Sequence, residues 1–311
     1  MYSGASNLVT TTDNAFFLII GISVIFLVGI SATIIWFLIR YNKKKHPVAE
    51  QIHGSNTLEV VWTVIPLILV MIMFFYGWAG YAPARKAPKD AMRIIASARM
   101  WSWSFEYENG VKTDTLYVPM NQPVLLDLLS VDVVHSLYIP AFRVKEDMVP
   151  GRTNRMWFIP QKVGNYELFC AEYCGLSHSY MFTEVKVLEP GEFDKWLTSQ
   201  ADTTRIIAAE SNPGAAGRRL IEVNGCFACH SSDGSKLVGP SFKGLYEHEQ
   251  KVMTNGELRS VIANDDYITK SIYEPDAEIV EGYRKGQMIS YKNQLTDQDV
   301  QQIIEYLKTI K

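Results

Sequence analysis

Cys170-Ala-Glu-Tyr-Cys-Gly-Leu-Ser-His-Ser-Tyr-Met181 places two thiols, an imidazole and a thioether in one short loop. Sulfur and imidazole with a weak thioether is the ligand set that selects copper. A mononuclear blue-copper site uses one Cys, two His and an axial Met, so the second Cys is surplus to it. Two sulfurs could instead bridge a pair of coppers, each completed by one His and one further ligand. The second imidazole lies upstream at His135, in Asp132-Val-Val-His135. Two plainer readings compete: a Cys170–Cys174 disulfide, or a structural Cys₂His₂ zinc site with His135 and His178. Neither uses Met181, and zinc rarely takes a thioether.

The pattern C-x-E-x-C-x₃-H-x₂-M with an upstream His resembles the dinuclear copper (copper A) loop of cytochrome c oxidase subunit II. Trp101-Ser-Trp-Ser-Phe-Glu-Tyr107 resembles the aromatic segment of that family, and Val149-Pro-Gly-Arg152 its segment after the first copper His. The likeness runs from about residue 14 to residue 190. It implies two coppers held by His135, Cys170, the Glu172 carbonyl, Cys174, His178 and Met181, on a cupredoxin-type Greek-key barrel. It also implies that the Glu172 side chain reaches a magnesium or manganese ion at the boundary with subunit I. Trp101 would lie exposed above the copper pair and admit electrons from cytochrome c. A plain reading of Trp101 is core packing, and of Glu172 a surface carboxylate.

The chain has 311 residues, 48% hydrophobic and 20% charged, with a net charge of −3 that argues against nucleic acid as a partner. The apolar share is concentrated in the first 81 residues. Phe16 to Ile39 carries no charge, and Val60 to Tyr81 repeats this, broken only by Pro66. Each is long enough to cross a bilayer core of about 30 Å, so two transmembrane helices are expected. A cleaved signal peptide fits poorly, because no basic segment precedes Phe16. Arg40, Lys43, Lys44 and Lys45 lie between the spans, whereas only Asp13 is charged before them. That puts the connecting loop in the cytoplasm, and the N-terminus and everything after Tyr81 on the outer, periplasmic face of a bacterial inner membrane. Glu59 stands at the inner edge of the second span, either reaching water as an interfacial residue or serving a function. The resemblance places it near a proton path into subunit I.

From Arg93 to about Glu189 short β-rich runs alternate with turn signals, which implies a sandwich or barrel. The runs are Arg93–Ala96, Leu116–Val118, Val124–Leu129, Arg155–Ile159 and Phe182–Leu188. Beyond them comes Cys226-Phe-Ala-Cys-His230, the C-x-x-C-H signature of covalent haem c attachment, with His230 ligating iron. Asn212-Pro213 and Asn224-Gly225 would bound a helix before it. Thr296-Asp-Gln-Asp299 would cap a last helix, with Val300, Ile303, Ile304, Leu307 and Ile310 on one face. Val238-Gly-Pro-Ser-Phe-Lys-Gly-Leu245 resembles the loop whose Pro backs the proximal His in small cytochromes c. Met288 and Met253 are the candidates for the sixth ligand. Met288 is favoured because it precedes the last helix, although Ile289 replaces the usual Pro.

The expected architecture is a multidomain membrane protein. It has a tail and helical hairpin over 1–90, an all-β cupredoxin domain over 91–197, a linker over 198–212 and an all-α class I-like cytochrome c domain over 213–311. The resemblance implies the electron-input subunit of a cytochrome c oxidase. Electrons would pass from a donor through haem c and copper A to subunit I, where oxygen is reduced to water with proton pumping. Its partners would be subunit I, subunit III, an upstream cytochrome or other donor, and membrane lipid. A copper-A nitric oxide reductase subunit and a free-standing membrane-anchored electron carrier are the alternatives.

Overall fold

The computed structural model describes residues 4–48, 51, 53–209 and 213–311, the side chains of 202–209 and 213 excepted. Two apolar helices lead, α1 (Val9–Arg40) and α2 (Asn56–Ala84), and neither contains a buried residue. Side chains this apolar and this unburied need lipid around them, so the hairpin crosses the membrane. Ser55 caps α2 by accepting a hydrogen bond from the Leu58 N–H, which satisfies one of the free donors at a helix start.

Both outer ends of the hairpin are fastened to the β-domain that follows. Ala5 N–H donates to the Ala141 carbonyl at 2.9 Å and the Ser6 hydroxyl to the Phe142 carbonyl at 2.8 Å. Asp13 pairs with Arg143 at 2.7 Å, and Arg85 with Glu146 at 2.6 Å. The segment before α1 and the β-domain therefore share one side of the membrane. The basic connecting loop lies on the other, as its charge requires.

The β-domain comprises β1 (Met92–Arg99), β2 (Ser102–Tyr107), β3 (Lys112–Thr113), β4 (Leu116–Pro119) and β5 (Val124–Ser130). It continues with β6 (His135–Ile139), β7 (Val144–Met148), β8 (Asn154–Phe158), β9 (Gly164–Cys170) and β10 (Phe182–Leu188). They form two sheets, ordered β3-β2-β1-β5-β8 and β4-β10-β9-β6-β7. The β1–β5 and β4–β10 pairs are parallel among otherwise antiparallel neighbours, as Greek-key crossovers require. Alternate residues such as Ile94 and Ala96, or Leu126 and Leu128, are fully buried between the sheets. This is the expected cupredoxin-like fold.

Helix α3 (Pro190–Ala209) packs on β4, the edge strand of the second sheet. Phe193 joins the core, and Trp196 stacks on Tyr117 with ring centroids 4.1 Å apart. The stretch expected as a linker is thus helical from Thr198 to Ala209, because no Gly or Pro follows Gly191 to stop the helix. The rest of that stretch, and the Asn212 cap, lie outside the described residues.

The C-terminal domain holds α4 (Pro213–Val223), α5 (Asp265–Tyr273) and α6 (Asp297–Leu307). Thr296 and Asp299 form the expected capping box, and Val300, Ile303, Ile304 and Leu307 are buried. Helix α4 crosses α6 at Gly217, where an added Cβ would lie 1.8 Å from the Gln302 carbonyl oxygen. A small sheet joins this helical domain: β11 (Glu249–Thr254), β12 (Glu257–Ile262) and β13 (Ile279–Val280), ordered β12-β11-β13. Asn255 and Gly256 turn its hairpin with φ of 53° and 87°, the positive values that an Asn-Gly turn supplies. The sequence reading had not anticipated this sheet, although Asn255-Gly256 between two polar-apolar runs was its signal.

Candidate metal and haem sites

The register of three strands builds the first site. Strand β9 pairs with β6 so that Leu137 faces Cys170, and with β10 so that Phe169 faces Phe182. The metal-binding loop leaves β9 at Cys170 and rejoins β10 after Met181, closed at its base by Cys170 N–H to the Met181 carbonyl at 3.0 Å. Ala171 N–H donates to the Ser136 carbonyl at 2.9 Å, which ties the loop beside His135.

All six predicted donors meet there. His135, Cys170 and Cys174 place ligand atoms within 4.8 Å of one another. Cys170 Sγ lies 3.8 Å from His135 Nδ1 and 3.2 Å from the Glu172 carbonyl oxygen. Cys174 Sγ lies 3.5 Å from His178 Nδ1 and 3.7 Å from Met181 Sδ. The two sulfurs are 3.8 Å apart and both cysteines are free, so no disulfide joins them. Each sulfur thus has its own imidazole and its own weak donor, a carbonyl for Cys170 and a thioether for Cys174. A four-coordinate zinc site would leave Glu172 O and Met181 without a role.

The electrostatics suit a cation. Burial pushes both thiols up, but hydrogen bonds from His135 and from backbone amides outweigh this at Cys170 and hold it low. Cys174 is driven the other way, by burial and by the neighbouring Cys170. Two adjacent buried sulfurs cannot both ionise cheaply without a cation between them, and metal binding removes that penalty. His135 Nε2 sits 2.8 Å from Asp132 Oδ1, which leaves Nδ1 facing Cys170 as the lone-pair donor. Burial pulls the His135 ring down, and Asp132 together with Cys170 more than offsets this and raises it. Asp132 had no assigned role in the sequence reading; its place three residues before a ligand His was the available signal.

Trp101 departs from expectation. It is 4% exposed rather than open above the site. The Cys170–Met181 loop lies against it: a Cβ on Gly175 would sit 3.2 Å from Trp101 Cζ2 and 3.6 Å from Met100 Sδ. Gly175 has a φ of 121°, so the loop needs glycine there for both reasons. Glu172 directs its carbonyl at Cys170 while the residue as a whole is exposed. Glu59 lies exposed in the first turn of α2, at the membrane edge opposite the copper loop.

The second site is a partly open, mostly apolar cavity of the C-terminal domain, lined by Cys226, Cys229, His230 and Met288 among others. His230 Nδ1 donates to the Pro240 carbonyl at 2.7 Å, leaving Nε2 free, and Phe242 stacks on the ring at 4.7 Å. A Cβ on Gly239 would lie 2.6 Å from the imidazole, so the Val238-Gly-Pro loop backs the ring closely. Burial holds the His230 ring below its usual range and pushes the Cys226 thiol up to about 12. A neutral imidazole, an apolar wall and a paired C-x-x-C suit a haem attached by two thioethers. Met253 is on β11, 39% exposed and away from this cavity.

The family models fall on the same segments. "Cytochrome C oxidase subunit II, transmembrane domain" matches residues 3–78, "Cytochrome C oxidase subunit II, periplasmic domain" residues 110–188, and "Cytochrome c" residues 214–311. Cytochrome c oxidase subunit 2 of Alkalihalophilus pseudofirmus is 30% identical, over 94% of this chain and 86% of its own length. The chain belongs to the cytochrome c oxidase subunit 2 family. Within that family the Bacillus subtilis protein is 27% identical, over 89% of this chain and 82% of its own. The crystal structure of the periplasmic domain of subunit II of cytochrome oxidase (CoxB) of Bradyrhizobium japonicum is 30% identical, with a TM-score of 0.37. It covers 38% of this chain and 99% of that one. Membership makes the chain a subunit of the oxidase complex and a partner of its subunit I, with copper and haem as the cofactors implied by its two extramembrane domains.

Proposed function

We propose that this chain is the electron-input subunit of its oxidase, taking electrons from an external donor at the C-terminal domain and passing them through the copper domain to subunit I. The single observation behind this order is that the two donor sets are built into one chain whose two extramembrane domains pack on one another. Cys229 and Val238 of the haem cavity pack against the buried cluster that holds Trp101, Cys170 and Cys174.

The residues fit two coppers, with His135 and the Glu172 carbonyl beside Cys170, and His178 and Met181 beside Cys174. Cys226 and Cys229 would carry the haem, with His230 and Met288 as axial ligands. When bound, these groups supply one-electron redox chemistry at potentials suited to electron transfer. The protein's own task is to hold the donors still. Strands β6, β9 and β10 clamp the copper loop from both ends, Asp132 orients His135, and Pro240 orients His230. Burial of both sites excludes water and limits rearrangement when charge arrives. Trp101, packed against Gly175, bridges the haem side and the copper loop. Glu59 gathers protons at the inner membrane edge for subunit I, and the Glu172 carboxylate meets a magnesium or manganese ion at the subunit boundary. Subunit III, a cytochrome-type donor and a bacterial inner membrane complete the setting, with oxygen reduction coupled to proton pumping in subunit I.

The nitric oxide reductase reading shares the copper site, and Glu59 and Glu172, which act only beside a subunit I of the oxidase type, favour oxygen. Flash reduction of the purified complex tests the electron order. Haem absorption should appear first and decay as the copper band bleaches. Copper reduced before haem, or full turnover after replacing Cys226 and Cys229, would overturn it.

A further inference from the structure

Arg99 is a buried charge that the copper and haem chemistry leaves unused. It ends β1 at 9% exposure, and among the described residues no carboxylate pairs with it. Burying a guanidinium without a counter-charge costs stability. Its contacts all lead into the other domain. Arg99 Nη2 donates to Gln294 Oε1 at 2.6 Å, and the guanidinium lies over the Tyr291 ring, 5.0 Å from its centroid. Nη1 is buried with no partner. Tyr291 lines the haem cavity, and its hydroxyl donates to the Asn224 carbonyl, just before the C-x-x-C-H motif. The following residues of the copper domain extend the contact. Met100 lines the haem cavity itself. Ser102 sits so close to Gly225 that a Cβ there would lie 2.0 Å from Ser102 Oγ. Met100 thus reaches the haem cavity on one side and, with Trp101, lies against Gly175 of the copper loop on the other.

We propose that Arg99 is a positioning residue that seats the C-terminal domain on the copper domain, holding the Cys226–Cys229 edge of the haem cavity against Met100 and Trp101. This rests on the electron order proposed above. A fork that donates a hydrogen bond to one neutral partner while stacking on another suits arginine and no other side chain. Lysine keeps the charge, but as a point charge on a flexible stem it loses the planar stacking and the fixed fork that serve both partners at once. Because the partners are neutral, the seat is not an ion pair and does not loosen with salt, unlike docking driven by surface charge.

The test uses the full-length, metal- and haem-loaded complex. Arg99→Ala should raise hydrogen exchange in residues 99–104 and 289–295 by about thirtyfold or more, the effect of losing one charge-assisted hydrogen bond and one cation–π contact together, and should slow flash-induced haem-to-copper transfer. Haem and copper spectra should be unchanged, showing that both sites remain folded. Arg99→Lys should recover only part of each loss, and Gln294→Ala, made from the other domain, should act in the same direction. The wild-type rate should hold steady across about a tenfold change in ionic strength. Unchanged exchange at both segments in Arg99→Ala, or a copper spectrum lost without any change at 289–295, would overturn the seat. If wild-type haem fails to be oxidised in step with copper reduction, the electron order is wrong, and the exchange data still decide whether Arg99 seats the domain.

Discussion

Gly217→Ala puts a single methyl group where two helices of the haem domain touch. The added Cβ would lie 1.8 Å from the Gln302 carbonyl oxygen, 2.5 Å from its carbon and 3.0 Å from Ile303 Cα. All three are backbone atoms, so no side-chain rotation relieves the clash, and α4 and α6 must separate. Ile303 and Leu307 of α6 and Ile221 of α4 line the haem cavity, so the separation opens its wall. Overpacking of this kind costs about 1–3 kcal/mol, while Ala in place of a helical Gly returns about 1 kcal/mol. With this backbone-on-backbone clash at the upper end of that range, the net loss is about 2 kcal/mol, which for a domain of about 100 residues lowers Tm by about 8–16 °C. Thermal melting of the full chain, followed in the haem absorption with the copper band as an internal control, measures it. The haem transition should move down while the copper transition stays. A haem-domain Tm that is unchanged or raised would refute the close crossing of α4 and α6.

The remaining predictions concern the sites and the membrane edge. Met288→Ala should turn a low-spin haem high-spin and lower its potential, while Met253→Ala, outside the cavity, should leave the spectrum unchanged; the reverse result would exchange their roles. Asp132→Ala removes the group orienting His135 and should weaken copper retention by about 10–100-fold in a chelator competition, with the haem spectrum as control. Glu278, held between Arg259 and Lys270, has its carboxyl pushed up by burial but pulled below its usual range by these cations. The stability it contributes is therefore present above the unfolded carboxyl pKa of about 4.3 and is lost as pH falls through the lower folded value. Glu278→Gln should flatten that part of the acid limb in a melting series, and an identical acid limb would refute the pairing. Glu59→Ala should slow proton uptake by the assembled complex without altering haem-to-copper transfer, since Glu59 lies across the bilayer from both sites; normal uptake and pumping would leave it a plain interfacial residue.

The candidate donors of both sites and the two spans are legible in the sequence because most of each set is local. The copper loop carries five of its six donors within twelve residues, C-x-x-C-H is contiguous, and a membrane span is an uninterrupted apolar run. Composition and spacing record such features without reference to the rest of the fold. Long-range placement decided the rest. That His135 meets Cys170 depends on the β6–β9 register, and that Met288 rather than Met253 lines the cavity with His230 depends on how the last third of the chain wraps it. Trp101 reads as an aromatic in a strand-like motif, and only the tertiary placement of the loop carrying Gly175 against it shows that it is covered. Helix α3 continues through a stretch whose polar composition reads as linker, because propensity and the absence of a stop signal outweigh polarity there. Arg99 is the clearest case. Its sequence neighbours give no hint of partners almost two hundred positions away, since a contact between domains leaves no period, spacing or motif in either segment.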